Sequence, residues 1–316
     1  MDVVALGELL IDFTSQSIDA DGYPTMAAHP GGAPANFLAA LTKFGADTAL
    51  LGKVGNDAFG RALLNTLKGA GIETRGMVIT DDFFTTLAFV TLDESGDREF
   101  SFARKPGADT QITFEDLDLS LIDEAKVFHL GTLSLTDMPA ADTTRRAVAY
   151  AKEKGKMITF DPNLRKPLWH NLDDAKQAML WGLSQADVVK ISDEEIDFLF
   201  GLSPLAGAKH ILENFGVKLI FATCGADGCY YATTSTCGHV PSLSGIAVKD
   251  TTGAGDIFGG SAVWKLLQTG QTPDTLTNAQ LQDIVSFACT AAGLSTTKEG
   301  GISSVPTYEE VIKNRS

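Results

Sequence analysis

Residues 250–260 read Asp-Thr-Thr-Gly-Ala-Gly-Asp-Ile-Phe-Gly-Gly. Apolar residues then recur at helical spacing, at Ala262, Val263, Leu266 and Leu267. The small residues at 253–255 let the backbone approach a ligand closely. The first N–H groups of a helix lack partners within it, and the helix dipole adds partial positive charge there. The stretch therefore predicts an anion site, suited to a phosphate, at the start of a helix.

Asp256 stands in the first turn of this predicted helix, beside the anion site. Because the helix dipole alone favours an acid there, plain helix stabilisation is an alternative to a catalytic role. The composition of the turn favours chemistry. Gly253, Gly255, Gly259 and Gly260 each lower helix propensity by about 1 kcal/mol relative to Ala. Close approach of a phosphate and tight helix packing would explain four such residues around one turn.

Outside this stretch, predicted strands and helices alternate along the chain. Strands are expected at 3–6, 9–13, 48–54, 127–130, 157–160, 188–191 and 219–223. Helices are expected at 33–44, 58–70, 142–154, 173–184, 193–200 and 205–215. Such alternation is typical of parallel strands joined by crossover helices, with helices on both faces of the sheet. We expect an α/β fold with residues 1–316 forming one domain.

Two stretches, at about 15–30 and 85–105, break this rhythm. Each contains short strands in succession with no helix between them. Adjacent strands of this kind are typical of an antiparallel sheet. Since both stretches leave and re-enter the α/β body, we predict a small antiparallel β lid inserted in it. A further antiparallel pair is expected at 229–232 and 239–241.

The composition narrows the class of protein. The chain has 25 Lys and Arg against 40 Asp and Glu, a net charge of −15. A general nucleic-acid binder needs a basic face, so this balance argues against one. No apolar run approaches the roughly 18 residues that span a bilayer. With four cysteines, no basic leader and no CxxC pair, we expect a cytoplasmic protein that neither crosses a membrane nor relies on disulfides.

Other familiar catalytic motifs are missing from the sequence. Gly45 and the Gly52-Lys53 pair lie too far apart for a Walker A loop, and Val54 follows where Ser or Thr is needed. No G-x-G-x-x-G follows the first strand, and neither H-E-x-x-H nor G-x-S-x-G occurs. The sequence therefore indicates no Rossmann nucleotide site, zinc protease or serine hydrolase.

Two motifs resemble the signatures of the ribokinase-like (PfkB) sugar kinases. The first is residues 250–260; the second is Gly-Gly-Ala-Pro-Ala-Asn at 31–36 with Val-Gly-Asn-Asp-Ala-Phe-Gly at 54–60. The resemblance extends from Gly7 to Pro306. It implies a three-layer α/β/α domain with a mostly parallel central sheet and a small lid. It also implies transfer of the γ-phosphoryl group of ATP to a sugar hydroxyl.

The resemblance assigns roles to individual residues. It implies an anion hole at Gly253, Ala254 and Gly255 and a catalytic base at Asp256. It places the sugar near six residues: Asp12, Gly31, Gly32, Asn36, Arg104 and Arg165. It places the nucleotide near Lys190, Thr223, Gly225, Gly228 and Ala288, together with Gly253 and Gly255. The pattern at 223–228 taken alone also suits an ordinary turn.

Two kinds of metal ion follow from the same resemblance. Magnesium is expected with ATP, and Glu195 would act on it through water, although Ser192 stands where the family has asparagine. Potassium is expected beside the anion hole, at the positions Asp250, Thr252, Ser295, Lys298, Gly300 and Ser304.

The acceptor is predicted from shorter phrases. Residues 129–135, 161–169 and 190–195 look most like bacterial fructokinases, so fructose is expected to become fructose 6-phosphate. 2-Keto-3-deoxygluconate is the alternative acceptor, since its carboxylate suits Arg104 and Arg165. A catalytically inactive, sugar-sensing relative is an alternative of another class. A homodimer through the lid is expected, with contacts at Phe83, Phe84, Phe89 and Phe100, unless these rings pack within the lid.

Overall fold

A computed structural model describes residues 1–92 and 98–315. The strands are β1 (Val3–Leu6), β2 (Leu10–Ile18), β3 (Pro24–Gly31), β4 (Thr48–Gly55), β5 (Met77–Thr80), β6 (Leu87–Leu92), β7 (Arg98–Ala103), β8 (Val127–Gly131), β9 (Met157–Asp161), β10 (Val188–Ser192), β11 (Leu219–Thr223), β12 (Cys229–Ala232) and β13 (Cys237–Val240). The helices are α1 (Ala33–Lys43), α2 (Ala58–Ala70), α3 (Leu119–Glu124), α4 (Ala140–Glu153), α5 (Leu172–Gln185), α6 (Asp193–Phe200), α7 (Pro204–Phe215), α8 (Ala254–Thr269), α9 (Asn278–Ser295) and α10 (Tyr308–Asn314). No helix in the described ranges has the length and apolar character needed to cross a bilayer.

Nine strands form the large sheet, in the order β13-β12-β11-β10-β9-β8-β1-β4-β5. All neighbours are parallel except at β12 and β13, which pair antiparallel. The inner strand β1 is apolar throughout and wholly buried, as a strand covered on both faces requires. Val4 and Leu6 pack in the core on one face, whereas Val3 and Ala5 pack in the core on the other.

The helices divide between these two cores. Helices α3 to α7 contribute to the core that holds Val4. Helices α1, α2, α8, α9 and α10 contribute to the core that holds Val3. Helix α8 packs tightly against α1, because a side chain at Gly260 would collide with the backbone oxygen of Phe37. The predicted three-layer α/β/α architecture is confirmed.

A second, four-stranded sheet has the order β3-β2-β6-β7. β2–β3 and β6–β7 are antiparallel hairpins. β2 and β6 pair in parallel, however, and the predicted antiparallel sheet did not include this parallel pair. The parallel pairing is possible because α1, β4, α2 and β5 lie between the two strands in the chain and provide a long crossover.

Aromatic rings attach this small sheet to the body. The ring of Phe13 stacks on Phe89 at 5.3 Å and meets the edge of Phe59, on α2, at 5.5 Å. Phe89 is therefore engaged within the protein, Phe83 is half-buried, and Phe84 is 80% exposed. The Phe100 side chain and residues 93–97, which belong to the predicted lid stretch at 85–105, lie outside the described residues.

Candidate active site

A cavity of about 790 Å³ opens where the carboxyl ends of the central strands meet the first turns of α1 and α8. This is where open α/β sheets bind ligands. The small sheet covers one side of the cavity through Leu10, Asp12, Thr14, Val90 and Phe102. The body supplies the other lining residues: Glu8, Gly32, Ala33, Asn36, Leu133, Asn163, Leu164, Arg165, Lys166, Pro167, Glu194, Thr251, Thr252, Gly253 and Asp256.

Asp256 lies on the wall of this cavity and is 8% exposed. Its Oδ2 accepts a hydrogen bond of 2.9 Å from Asn36 Nδ2, which joins the first turn of α8 to α1. Burial raises the pKa of the Asp256 carboxyl, while Lys190, Asn36 and Arg165 act in the opposite direction. Asn36 Oδ1 is buried without a hydrogen-bond partner among the described residues.

The backbone before Asp256 is shaped by glycine. Gly253 is the N-cap of α8 at φ 73°, in the left-handed region that other residues rarely adopt. The Ala254 N–H donates to Thr251 O at 3.3 Å, closing a turn. A Cβ at Gly255 would lie 3.1 Å from Lys190 Nζ, so the absence of a side chain there admits the lysine ammonium beneath the turn.

Lys190 belongs to a buried polar cluster behind this turn. Its Nζ donates to Asp161 Oδ1 and Oδ2 at 3.1 and 3.0 Å, and both side chains are nearly buried. Burial disfavours the lysine cation, but Asp161, Glu195 and Asp256 outweigh it and raise the pKa of Lys190. Burial and Lys190 lower the pKa of His129 to about 3, which keeps that ring neutral against Phe37.

The side of the cavity that was predicted to hold the sugar carries acidic side chains. Asp12 lies on β2 opposite His29, and a side chain at Gly31 would collide with its carboxylate. Burial raises the pKa of Asp12 to about 6, against the effect of Arg165. Glu8 Oε1 accepts from the Ala33 N–H at 2.9 Å, and burial raises the pKa of Glu8 to about 7. Two carboxyl groups thus change charge near neutrality beside Asp256.

The two arginines predicted at the sugar lie in different surroundings. Arg165 lines the cavity. The Arg104 guanidinium instead binds Asp109, with Nη2–Oδ2 at 2.7 Å, and donates to Leu133 O and Thr136 Oγ1, both at 2.8 Å. It lines a separate cavity of about 290 Å³, which shares Phe102 and Pro167 with the large one. The described structure therefore does not bring Arg104 to the large cavity.

Glu195 is occupied by backbone hydrogen bonds. Its Oε2 accepts from the Ser192 N–H and its Oε1 from the Leu164 N–H, both at 2.8 Å. Ser192 caps the helix in return, so the two form a capping box at the start of α6. Glu194, not Glu195, lines the large cavity. In the described residues no three His, Cys, Asp or Glu side chains converge as a metal site.

The residues predicted at the nucleotide are less closely grouped. Thr223 ends β11, and Gly225 (φ 52°) and Gly228 (φ 96°) shape the turn that follows. Both glycines adopt backbone angles that other residues rarely adopt, as the predicted turn requires. Ala288 has no exposed surface and packs in the core between α8 and α9. The structure therefore does not bring Ala288 to a surface that could hold adenine; Ala292, one turn later, is half-buried.

The predicted cation positions are tied together by Asp250. Its Oδ1 accepts from the backbone N–H and hydroxyl of Thr252 at 2.9 and 2.7 Å, and its Oδ2 accepts from the Gly300 N–H at 3.0 Å. The hydroxyls of Ser295 and Ser304 donate to Ala292 O and Gly301 O. Lys298 pairs with Glu310 at 3.7 Å. The structure thus brings the 250–252 and 295–304 segments side by side.

Sequence reasoning missed several residues of the site. Asn163 lies on the cavity wall at φ 45°, the one non-glycine with positive φ in the described residues. Asparagine tolerates that conformation better than most residues, so an Asp-Pro-Asn sequence after a strand was an available signal. Glu8 had no local signal, because its burial depends on how distant strands come together, and nothing in the sequence placed the exposed Lys166 at the cavity.

The chain resembles known carbohydrate kinases in sequence and in structure. Residues 1–308 match the family described as pfkB family carbohydrate kinase. Fructokinase-2 of Solanum lycopersicum is 39% identical over 315 residues, which cover 98% of this chain and 94% of that protein. The ATP-bound fructokinase of Xylella fastidiosa superimposes with a TM-score of 0.90 at 31% identity, covering 98% of this chain and 97% of that one. A double mutant of the Vibrio cholerae O395 fructokinase, with fructose, ADP and potassium bound, gives 0.88 at 30% identity, covering 100% and 99%.

Proposed function

The chain belongs to the pfkB family of carbohydrate kinases, and we propose that it transfers the γ-phosphoryl group of ATP to fructose, forming fructose 6-phosphate. The observation that carries this proposal is one cavity in which Asp256, the glycine turn before it and Asp12 come together. Support for fructose comes from the fructokinases that this chain resembles along nearly their full length.

Asp256 is proposed as the base. The Asn36 side-chain amide donates to one carboxylate oxygen, so the other would accept from a sugar hydroxyl in the cavity. That oxygen would orient the hydroxyl and accept its proton as the new bond to phosphorus forms. The backbone N–H groups at 253–255 would stabilise the charge on the phosphoryl group during transfer, that of Ala254 by exchanging its long hydrogen bond to Thr251 O for one to the phosphoryl group.

The sugar is proposed to lie between the small sheet and the body. Asp12 would accept hydrogen bonds from sugar hydroxyls on one side, and Arg165 would donate from the other. Gly31 leaves room for the Asp12 carboxylate, and Gly32 leaves room for the backbone at Glu8 and Leu9. Closure of the small sheet over the sugar would exclude water and limit hydrolysis of ATP.

For the nucleotide, we propose Lys190 and the turn at Thr223, Gly225 and Gly228. Magnesium fits as an ion carried by the phosphates, because this ion keeps most of its waters and needs few protein oxygens. Glu195 does not line the cavity and each of its oxygens accepts one backbone hydrogen bond, so it would act on the ion only through water and with the remaining lone pairs. Bound magnesium would neutralise part of the phosphate charge.

The potassium site is proposed at the segments joined by Asp250. Its carboxylate joins the two segments by accepting hydrogen bonds from Thr252 and from the Gly300 N–H, and backbone carbonyl groups of these segments would supply most of the ligands to the cation. We expect faster turnover in potassium than in tetramethylammonium buffer. Equal rates would remove this proposal.

Arg104 bears on the choice of acceptor. Recognition of 2-keto-3-deoxygluconate by two arginines requires both guanidinium groups, and that of Arg104 is held by Asp109, Thr136 and Leu133. Fructose, which has no carboxylate, makes no such demand. The inactive, sugar-sensing alternative has no support of its own, since Asp256 and its glycine turn are intact.

An acceptor screen tests the function. Release of ADP would be measured with ATP, magnesium and either fructose, 2-keto-3-deoxygluconate or ribose, and the product would be identified by NMR. We expect kcat/KM for fructose to exceed the others by at least about tenfold. No turnover of fructose would overturn the acceptor, and no turnover of any sugar would overturn the kinase.

A homodimer through the small sheet also remains a proposal, as does a cytoplasmic location. Ile18 and Tyr23, at the tip of the β2–β3 hairpin, are exposed by 73% and 68%, and Phe84, which precedes β6, by 80%; a second copy could cover these apolar side chains. The four free cysteines suit a reducing compartment. Sedimentation of a single 33.5 kDa species at micromolar concentration would exclude the dimer.

A further inference from the structure

We infer that Asp161 is a positioning residue for phosphoryl transfer, acting through the Lys190 ammonium. This inference rests on the proposed kinase activity and concerns a residue to which the resemblance assigned no role. Asp161 is the last residue of β9 and Lys190 is the third of β10, so neighbouring parallel strands bring them together.

The geometry leaves one N–H of the Lys190 ammonium without a hydrogen-bond partner among the described residues. An ammonium has three N–H donors. Two are used by the two oxygens of Asp161, at 3.1 and 3.0 Å. The third is available on the side of Gly255, where a Cβ would lie only 3.1 Å from Nζ. Asp161 thus fixes the cation directly beneath the backbone turn proposed to hold the phosphoryl group.

Asp161 is itself held in place. Its Oδ1 also accepts from the Asn163 N–H at 3.2 Å, which closes the turn that places Asn163 and Arg165 on the cavity wall. Asp161 is 5% exposed and does not line the cavity proposed to hold the sugar. It is therefore placed to act on the reaction through Lys190 rather than by contact with substrate.

The same cation influences the proposed base. Asp256 is surrounded by Lys190 and Arg165, which favour its charged form, by Asn36, which donates to it, and by Asp12, which disfavours that form. Asp161 and Asp256 likewise disfavour each other's charge. Neutralising Asp161 should therefore lower the pKa of Asp256, a change that a purely structural residue would not produce.

The test compares Asp161→Asn, Lys190→Met and the double variant, with Asp197→Asn as control. Asp197 is an exposed carboxylate on α6 that does not line the cavity. For Asp161→Asn we expect kcat with saturating fructose and ATP to fall at least tenfold, with the acidic limb of the kcat–pH profile displaced to lower pH. The double variant should be no slower than Lys190→Met alone, because the two residues form one unit.

Three outcomes would overturn the inference. These are a kcat for Asp161→Asn within threefold of wild type, an acidic limb that stays in place or moves up, and a double variant at least fivefold slower than Lys190→Met. If Asp161→Asn does not fold, Asp161→Glu replaces it. That variant keeps the charge but displaces it by one methylene, so kcat should fall at least fivefold; a wild-type kcat would overturn the inference.

Nucleotide binding separates this inference from the proposed function. Calorimetry with AMP-PCP and with AMP needs no sugar. Lys190→Met should weaken AMP-PCP at least tenfold and leave AMP unchanged, whereas Asp161→Asn should keep AMP-PCP within threefold, since the cation remains but is no longer aimed. Wild-type protein that binds AMP-PCP but turns over no sugar would contradict the kinase proposal only. Equal binding of AMP-PCP by Lys190→Met and wild type would contradict the role of Lys190.

Discussion

Helices α6 and α8 both carry a carboxylate at the third helical position, but the two carboxylates form different contacts. Glu195 turns back to the Ser192 N–H and completes a capping box. Asp256 follows an N-cap glycine that has no side chain, and its carboxylate lies in the cavity with Asn36. An acid in a first turn is thus not informative by itself. The residue at the N-cap distinguishes a carboxylate used by its own helix from one available for chemistry.

The largest expected effect lies at the carboxylate of α8. Asp256→Asn should lower kcat by about 10²- to 10⁴-fold, because the amide cannot accept the hydroxyl proton. Binding of AMP-PCP by calorimetry should stay close to wild type. The matched change in α6, Glu195→Gln, should leave kcat within about tenfold of wild type. Near-normal turnover by Asp256→Asn would remove that residue from the role of base.

Exchanging the N-cap would test the comparison directly. Gly253→Ser gives α8 the serine cap of α6, but at φ 73° and with Cβ 3.0 Å from Asn36 Nδ2. We expect kcat to fall roughly 10²-fold, as for other losses of oxyanion-type stabilisation. Circular dichroism should show an intact fold. A variant with wild-type kcat would show that the N-cap residue does not determine whether the Asp256 carboxylate is available for chemistry.

Carboxylates that face the cavity should make activity depend on pH. Burial raises the pKa of Asp12 to about 6, so it is ionised above that pH and protonated below it. Protonation removes an acceptor for sugar hydroxyls, and KM for fructose should rise roughly tenfold per unit below about pH 6. Asp12→Asn should abolish this dependence. A KM that is constant from pH 5 to 8 in wild type would contradict the assignment.

The smallest effect should come from the cap of α6. Ser192→Ala removes the hydroxyl that accepts from the Glu195 N–H at 3.2 Å. The free energy of unfolding should fall by about 1 kcal/mol, the usual cost of losing an N-cap. Denaturant unfolding measures it, and kcat should change less than threefold. A large loss of kcat with unchanged stability would give α6 a part in catalysis that its geometry does not suggest.

Much of the fold was predictable because strong local patterns agree with tertiary structure. The helix predicted at 58–70 matches α2 in full, where Asp57 caps the start and Gly71 the end. The site was predictable where glycine marked it, as at Gly253. It was not predictable where position depends on distant strands, as at Glu8, and the residues near Arg104 did not indicate that Asp109 would be its partner. Ala288 is an ordinary core residue, and its complete burial agrees with its type rather than with the predicted adenine contact.

The parallel pairing of β2 with β6 has a consequence for how acceptor preference can change. Asp12 belongs to the small sheet, whereas Asn36, Lys190 and Asp256 belong to the body. In the proposed site, Asp12 on the small sheet and Arg165 on the body share recognition of the sugar, so only one side of that site is encoded apart from the group-transfer residues. The β2–β3 and β6–β7 hairpins could be exchanged together to change the polyol that the enzyme accepts, while the residues proposed to bind phosphate stay unchanged.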